Sequence, residues 1–228
     1  MTETRPFLRG VAEGLPFILI MVPFGLLFGV LASEAGLPVT QVIAFSVIVI
    51  AGAAQFTAVQ LMVDQVPAII VVLSALAVNL RMVMYSASIV PHLGAAPMWQ
   101  RGLIAYLLVD QTYALAAAAY ERERTWSVAD RVRYFAGTAA PVFPAWVGGT
   151  WAGAALGARV PASWPLDFAL PLCFLALVGP LLKSRAHVAA AFVSVVMVLA
   201  LWWVPWGLGL IFAALAAMAV GAEVERRT

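Results

Sequence analysis

The chain has 228 residues, 64% of them hydrophobic and 11% charged, with a formal net charge of +2. A soluble domain carries roughly 25% charged residues to cover its water-facing surface, so this composition excludes an ordinary soluble globule and turns most of the outside toward lipid. A single cysteine, Cys173, excludes an intrachain disulfide and a cysteine metal cluster.

A hydrocarbon core about 30 Å thick needs roughly 20 apolar residues of helix. The apolar runs here are long and unbroken, not ten-residue alternations, so helices rather than barrel strands are expected. The predicted fold is all-α: a polytopic integral membrane helix bundle forming a single domain over residues 1–228. Eight spans are expected, with six as the lower bound, near residues 14–33, 40–63, 67–90, 101–120, 133–157, 166–182, 186–204 and 206–222. The first follows Arg5 and Arg9 and contains Pro16, Pro23, Gly25 and Gly29. Its apolar run exceeds the core of a secretory leader, so it reads as a retained helix. Pro38, Pro67 and Pro97 punctuate the ends of the next three spans, and Pro161 and Pro165 separate the fifth from the sixth. Only the short turn Val204-Pro205-Trp206 separates the last two. Gly25-xxx-Gly29 in the first span and Gly149-xxx-Gly153 in the fifth share one spacing. Close helix packing in lipid explains it more simply than a four-plus-four duplication.

With the N-terminus inside, the inner loops hold Arg5, Arg9, Arg122, Arg124, Arg131, Arg133, Lys183, Arg185, Arg226 and Arg227, against Arg101 and Arg159 outside. This bias predicts both termini in the cytoplasm and residence in the inner or plasma membrane. It also accounts for the positive excess without nucleic acid, since the arginines sit in short clusters between apolar runs. Trp99, Trp164, Trp202, Trp203 and Trp206 would form the outer aromatic belt, with Trp126 at the inner face. Trp146 and Trp151 fall within a span and read as packing residues.

Polar groups at bilayer depth are costly, about 2.5–3.5 kcal/mol for a central charge. Gln55 lies three or four residues past the centre of the second span, about 6 Å at 1.5 Å per residue. Asn79 stands at the midpoint of the third span with Arg81 two residues on, and Asp110 at the midpoint of the fourth, followed by Gln111. Three consecutive spans thus place their most polar residues at nearly one depth. Asn79 and Arg81 are about 200° apart on a straight helix, so lining one cavity requires the helix to unwind between them. Arg81 and Tyr85, four apart, share a face. Gly52, followed by Ala53 and Ala54, marks a similar weak point in the second span and permits close backbone approach. Such broken helices gather at transporter sites. Against this stands a purely structural role: an Arg81–Asp110 ion pair fastening two spans, with Gln55 and Asn79 as inter-helix hydrogen-bonding groups. His-Glu-x-x-His, Gly-x-Ser-x-Gly and glycine-rich phosphate-loop motifs are all missing, so neither an enzyme nor a cofactor is expected.

FGLLFGVLA (24–32), AGAAQF (51–56), VNLRMVMYSASIVPHL (78–93) and VDQTYAL (109–115), in this order, resemble the AzlC family of branched-chain amino acid permeases. The likeness spans about residues 14–120. It departs at Met82, where the family commonly has histidine after the arginine, and at Gln111, where an acidic residue often follows the aspartate. Both departures remove titratable groups. The resemblance implies export of branched-chain or similar amino acids across the cytoplasmic membrane, alongside a small hydrophobic partner of the AzlD type. The residues themselves are compatible: Arg81 could take a zwitterion's carboxylate and Asp110 its ammonium, with Asn79, Gln55, Tyr85 and Gly52 completing a substrate site. A pore for another small polar solute and a non-transporting scaffold subunit remain the alternatives.

Overall fold

The computed structural model describes residues 5–157, 182, 184–204 and 208–227. Among them every regular element is helical, as the composition requires. They fall into two compact units, one drawn from Met1–Phe56 and Val78–Val160, the other from Thr57–Ala77 and Pro161–Thr228.

The first unit is built on a seam between its N-terminal helices and one long helix. Helix α1 (Arg5–Gly14) passes through a tight turn at Leu15–Phe17, where Pro16 interrupts the regular bonding, into α2 (Ile18–Glu34). Together, Pro6–Glu34 is long and apolar enough to cross a membrane. Against them lies the 30-residue helix α9 (Val128–Gly157). A Cβ added at Gly25 would stand 2.7 Å from the Trp146 carbonyl oxygen, and one at Gly149 would stand 2.7 Å from that of Val22. Gly29 lies as close to Thr150 and Gly153 to Leu26. The two Gly-xxx-Gly motifs therefore face each other and let two backbones touch. Gly10 meets Tyr134 and Gly137 meets Phe7 further down, so both helices run in the same direction. A parallel pair at one depth needs an odd number of crossings in the chain between, where the sequence reading places three. Trp146 is buried in this seam, whereas Trp151, which the sequence grouped with it, is 58% exposed.

At the end of the unit where α1 begins, charges join three helices. Arg9 Nε lies 2.9 Å from Glu13 and its Nη1 lies 2.7 Å from Glu123, while Arg122 reaches Glu13 at 3.5 Å. Tyr134 donates to Glu13, and the Arg9 guanidinium stands 5.6 Å over the Trp126 ring. The start of α1, the stretch around Arg122 and Glu123, and the start of α9 thus share one end of the unit.

Three helical segments are interrupted, each for a readable reason. The first comprises α3 (Val39–Ile48) and α4 (Gly52–Val63). Residues 47–50 are all β-branched, which lowers helix propensity, and Gly52 follows. Val49 is extended, with φ −119° and ψ 91°. The second comprises α5 (Ala68–Val78) and α6 (Leu80–Leu93), separated by Asn79 alone. There Met82 N–H bonds the Asn79 carbonyl at 2.9 Å, a tightened turn rather than a full break. The third comprises α7 (Met98–Tyr106) and α8 (Asp110–Arg122). Thr112 accepts the Val109 amide at 2.9 Å, and its hydroxyl lies 2.9 Å from the Leu107 carbonyl. One side chain therefore takes both groups that a continuous helix would have paired internally.

In the second unit, which takes in most of α5, α10 (Arg185–Ala200) packs on α11 (Leu208–Arg227). Ser184 caps α10 by accepting the His187 amide at 3.1 Å. The seventh expected span ends four residues early, in a turn over residues 201–204, and the eighth continues to Arg227. Of the sixth, expected at 166–182, all but Leu182 lies outside the described residues.

Candidate functional site

Every candidate residue lies in the first unit, at or just after an interruption. Asp110 opens α8, where unpaired amide N–H groups favour a negative charge. Its Oδ2 lies 3.1 Å from Arg81 Nη1 on α6, and both side chains keep a little over a third of their surface exposed, at 39% and 36%. The pair is therefore open on one side rather than sealed between helices. Tyr85, one turn beyond Arg81, brings its hydroxyl beside the same carboxylate. Its ring stacks on Tyr113 with centroids 4.1 Å apart, and Tyr113 bonds Ser88 at 3.0 Å.

A second group surrounds the start of α4. Gln55 is completely buried; its Nε2 donates to Ser46 at 3.2 Å, and Ser46 donates to Thr150 at 3.1 Å. This chain of side chains ties α4, α3 and α9 together. Gly52 sits beneath two rings: a Cβ there would stand 2.9 Å from Phe24 and 3.2 Å from Trp146. Phe24, Phe28, Phe56 and Trp146 continue as one aromatic cluster, with Phe24 and Phe56 centroids 4.9 Å apart.

Tyr106 joins the two groups. As the last residue of α7 it donates to the Val47 carbonyl in the last turn of α3, pinning one interruption to another. Tyr106→Phe should leave that carbonyl unpaired at a cost of about 1 kcal/mol. The expected result is a lower thermal midpoint with transport weakened rather than lost. An unchanged midpoint would show that the two interruptions are not held together here.

Among the described residues, six buried side-chain atoms lack a hydrogen-bond partner: Gln55 Oε1, Asn79 Oδ1, Arg81 Nε, Asp110 Oδ1, Trp146 Nε1 and Arg131 Nε. Arg131 belongs to the distant charged end, its guanidinium 5.8 Å over Tyr120. Of the other five, Gln55, Asn79, Arg81 and Asp110 lie at or just after an interruption, and Trp146 lies on α9 with its ring against Gly52. An unmade buried hydrogen bond costs about 1–3 kcal/mol, so each of these atoms is a candidate for a further partner.

The structure thus brings Arg81, Asp110 and Tyr85 into one group and Gln55 with Gly52 into its neighbour. Asn79 stands at the turn just before Arg81. Sequence reasoning passed over Tyr106, Tyr113, Ser46 and Thr150, and took Trp146 for packing alone. The available signal was spacing: Tyr113 follows Asp110 by three residues and Thr150 follows Trp146 by four, each pair on one helix face.

Residues 16–160 match the family described as AzlC protein. That stretch is more than half of the chain. The chain belongs to the AzlC family. Two relatives resemble this AzlC protein over most of their length. One is an uncharacterized membrane protein of Archaeoglobus fulgidus, 28% identical over 84% of this chain and 82% of the relative. The other is the Escherichia coli (strain K12) inner membrane protein YgaZ, 28% identical over 87% of this chain and 83% of the relative. No solved structure matches. All six candidate residues of this AzlC chain, and Trp146, lie inside the matched stretch.

Proposed function

We propose that this AzlC chain exports branched-chain or other aliphatic amino acids across the cytoplasmic membrane, as the large subunit beside a small AzlD-type hydrophobic partner. The observation that carries this reading is the half-open Arg81–Asp110 pair, in which Arg81 Nε and Asp110 Oδ1 are left unpaired. Two charges that served only to fasten helices would turn their remaining hydrogen-bonding atoms to protein partners. Here one donor and one acceptor are held ready, the complement of a carboxylate beside an ammonium. The aromatic and aliphatic side chains around Gly52 offer apolar surface to a branched side chain. Family membership and the membrane-protein relatives support transport as the general activity; substrate, direction and partner belong to the proposal.

Efflux tests it. Cells lacking the gene should retain a preloaded aliphatic amino acid, or become sensitive to a toxic analogue, and expression of the chain with its small partner should restore release. No change across leucine, isoleucine, valine and methionine, with the protein correctly inserted, refutes the reading.

A further inference from the structure

Two of the interrupted segments turn back on themselves. Gln55 donates to Ser46, and Phe28 packs on both Phe45 and Phe56. On one continuous helix Ser46 and Gln55, or Phe45 and Phe56, would stand roughly 14 and 16 Å apart along the axis, so the start of α4 returns alongside the end of α3. Helices α6 and α8 reveal the second return. Arg81 meets Asp110, Tyr85 stacks on Tyr113, and the His92 and Tyr120 rings lie 5.3 Å apart. Partners advance together along both helices, so α6 and α8 run parallel, and α7 must return from the end of one to the start of the other. It begins at Met98, just after α6 ends, and finishes at Tyr106, whose ring lies 6.1 Å from that of Phe143, midway along α9. Helix α8 then runs to Tyr120, whose hydroxyl donates to the Arg131 carbonyl near the start of α9. Both arms therefore have their outer ends where Arg9 and Arg122 gather.

We infer that α7 and α8 form a re-entrant hairpin rather than a crossing, and that its tip, residues 107–110, is a gate which the Arg81–Asp110 pair fastens shut. Arg101, expected in an outer loop, then joins the arginine-rich end, as the positive-inside rule favours. With 40–63 folded back as well, Ala68–Leu93 is the one crossing between α2 and α9, an odd number as their parallel course requires. The tip satisfies its own backbone, since Thr112 takes the Val109 amide and bonds the Leu107 carbonyl. Its attachments to other helices include the Tyr106–Val47 bond and the Asp110–Arg81 pair. A zwitterion whose carboxylate takes Arg81 and whose ammonium takes Asp110 replaces that pair, so it favours the unfastened state. This last step rests on the amino-acid reading above; the hairpin does not.

Thiol labelling of the full chain, with Cys173→Ala as background, tests both parts. Thr40→Cys and Thr125→Cys, at exposed positions before α3's first turn ends and just before α9, report the two faces. Met98→Cys, at a residue 77% exposed, should react with a membrane-impermeant maleimide in whichever preparation, spheroplasts or inverted vesicles, labels Thr125→Cys. Reaction where Thr40→Cys reacts, or in neither preparation, overturns the hairpin. Leu108→Cys, at a tip residue 4% exposed, should react slowly from the Thr125 face and severalfold faster when combined with Arg81→Ala. Val142→Cys, at a residue buried on α9, should stay slow in both backgrounds. An unchanged rate at Leu108→Cys, or an equal rise at Val142→Cys, overturns the gate. With Arg81 intact, leucine should accelerate labelling of Leu108→Cys, and leucinamide, which has no carboxylate for Arg81, should not. If Arg81→Ala accelerates it and leucine does not, the gate stands and the amino-acid reading falls.

Discussion

Gly149→Leu should abolish recovery of folded protein, while Gly148→Leu, one residue away, should be recovered like wild type. The contrast follows from the seam of the first unit. The Cβ direction of Gly149 ends 2.7 Å from the Val22 carbonyl oxygen and 3.2 Å from its Cα, whereas that of Gly148 meets nothing within 4 Å. A branched side chain at Gly149 must push α2 away from α9 along a helix pair whose Gly25, Gly29 and Gly153 contacts are equally close. Overpacking costs about 1–3 kcal/mol where neighbouring side chains can adjust; here the obstacle is backbone, which cannot rotate aside. Set against total stabilities of about 5–15 kcal/mol, losing the whole seam is enough to prevent folding. At Gly148 the change should even favour the helix, since glycine in a helix interior costs up to about 1 kcal/mol relative to alanine. Monodispersity on size exclusion in detergent, with the thermal midpoint, reads both variants. Folded, monodisperse Gly149→Leu protein would falsify the parallel α2–α9 contact.

How far the sequence revealed this fold depends on whether a feature is set locally or by a distant partner. Gln55, Asn79, Arg81 and Asp110 stood out from depth alone, because a polar residue near the middle of an apolar span is expensive wherever it faces. The same four account for four of the six unpaired buried atoms among the described residues. The weak point at Gly52 was legible for a local reason, a glycine followed by Ala53 and Ala54 within an apolar span. The interruption before Asp110 was not. Leu107, Leu108 and Val109 have nothing against a helix in composition, and the break depends on Thr112 turning its hydroxyl back to Val109 and Leu107. The Gly-xxx-Gly motifs announced close packing but not that they pack on each other, because their register is fixed more than a hundred residues apart. Trp146 was read correctly as a packing residue, but its polar atom was not legible, for a related reason. Its ring does pack as expected, and only the surroundings in the fold show that its N–H is left without a partner.

Arg81→Ala and Asp110→Ala should each abolish transport, and the double replacement should recover folded protein without recovering transport. Each single change strands one charge of a pair 3.1 Å apart. Breaking a fully buried pair costs about 3–5 kcal/mol, but with over a third of each side chain exposed the penalty here is smaller. Yield should therefore fall without vanishing. Removing both charges removes the stranded one, so a pair that only fastened helices would give back both yield and activity, as coupled neighbours do in a double-mutant cycle. A substrate site would give back yield alone, since neither the carboxylate nor the ammonium finds its partner. Swapping the charges, Arg81→Asp with Asp110→Arg, sharpens the distinction. It keeps a pair but sets a cation at the start of α8, where the helix end already carries partial positive charge, and it reverses the orientation a zwitterion requires. Efflux of labelled leucine at matched protein levels separates the readings. The expected result is a monodisperse, inactive double mutant and an inactive swap. A double mutant that exports at the wild-type rate reduces Arg81 and Asp110 to structural groups and removes the basis of the amino-acid site.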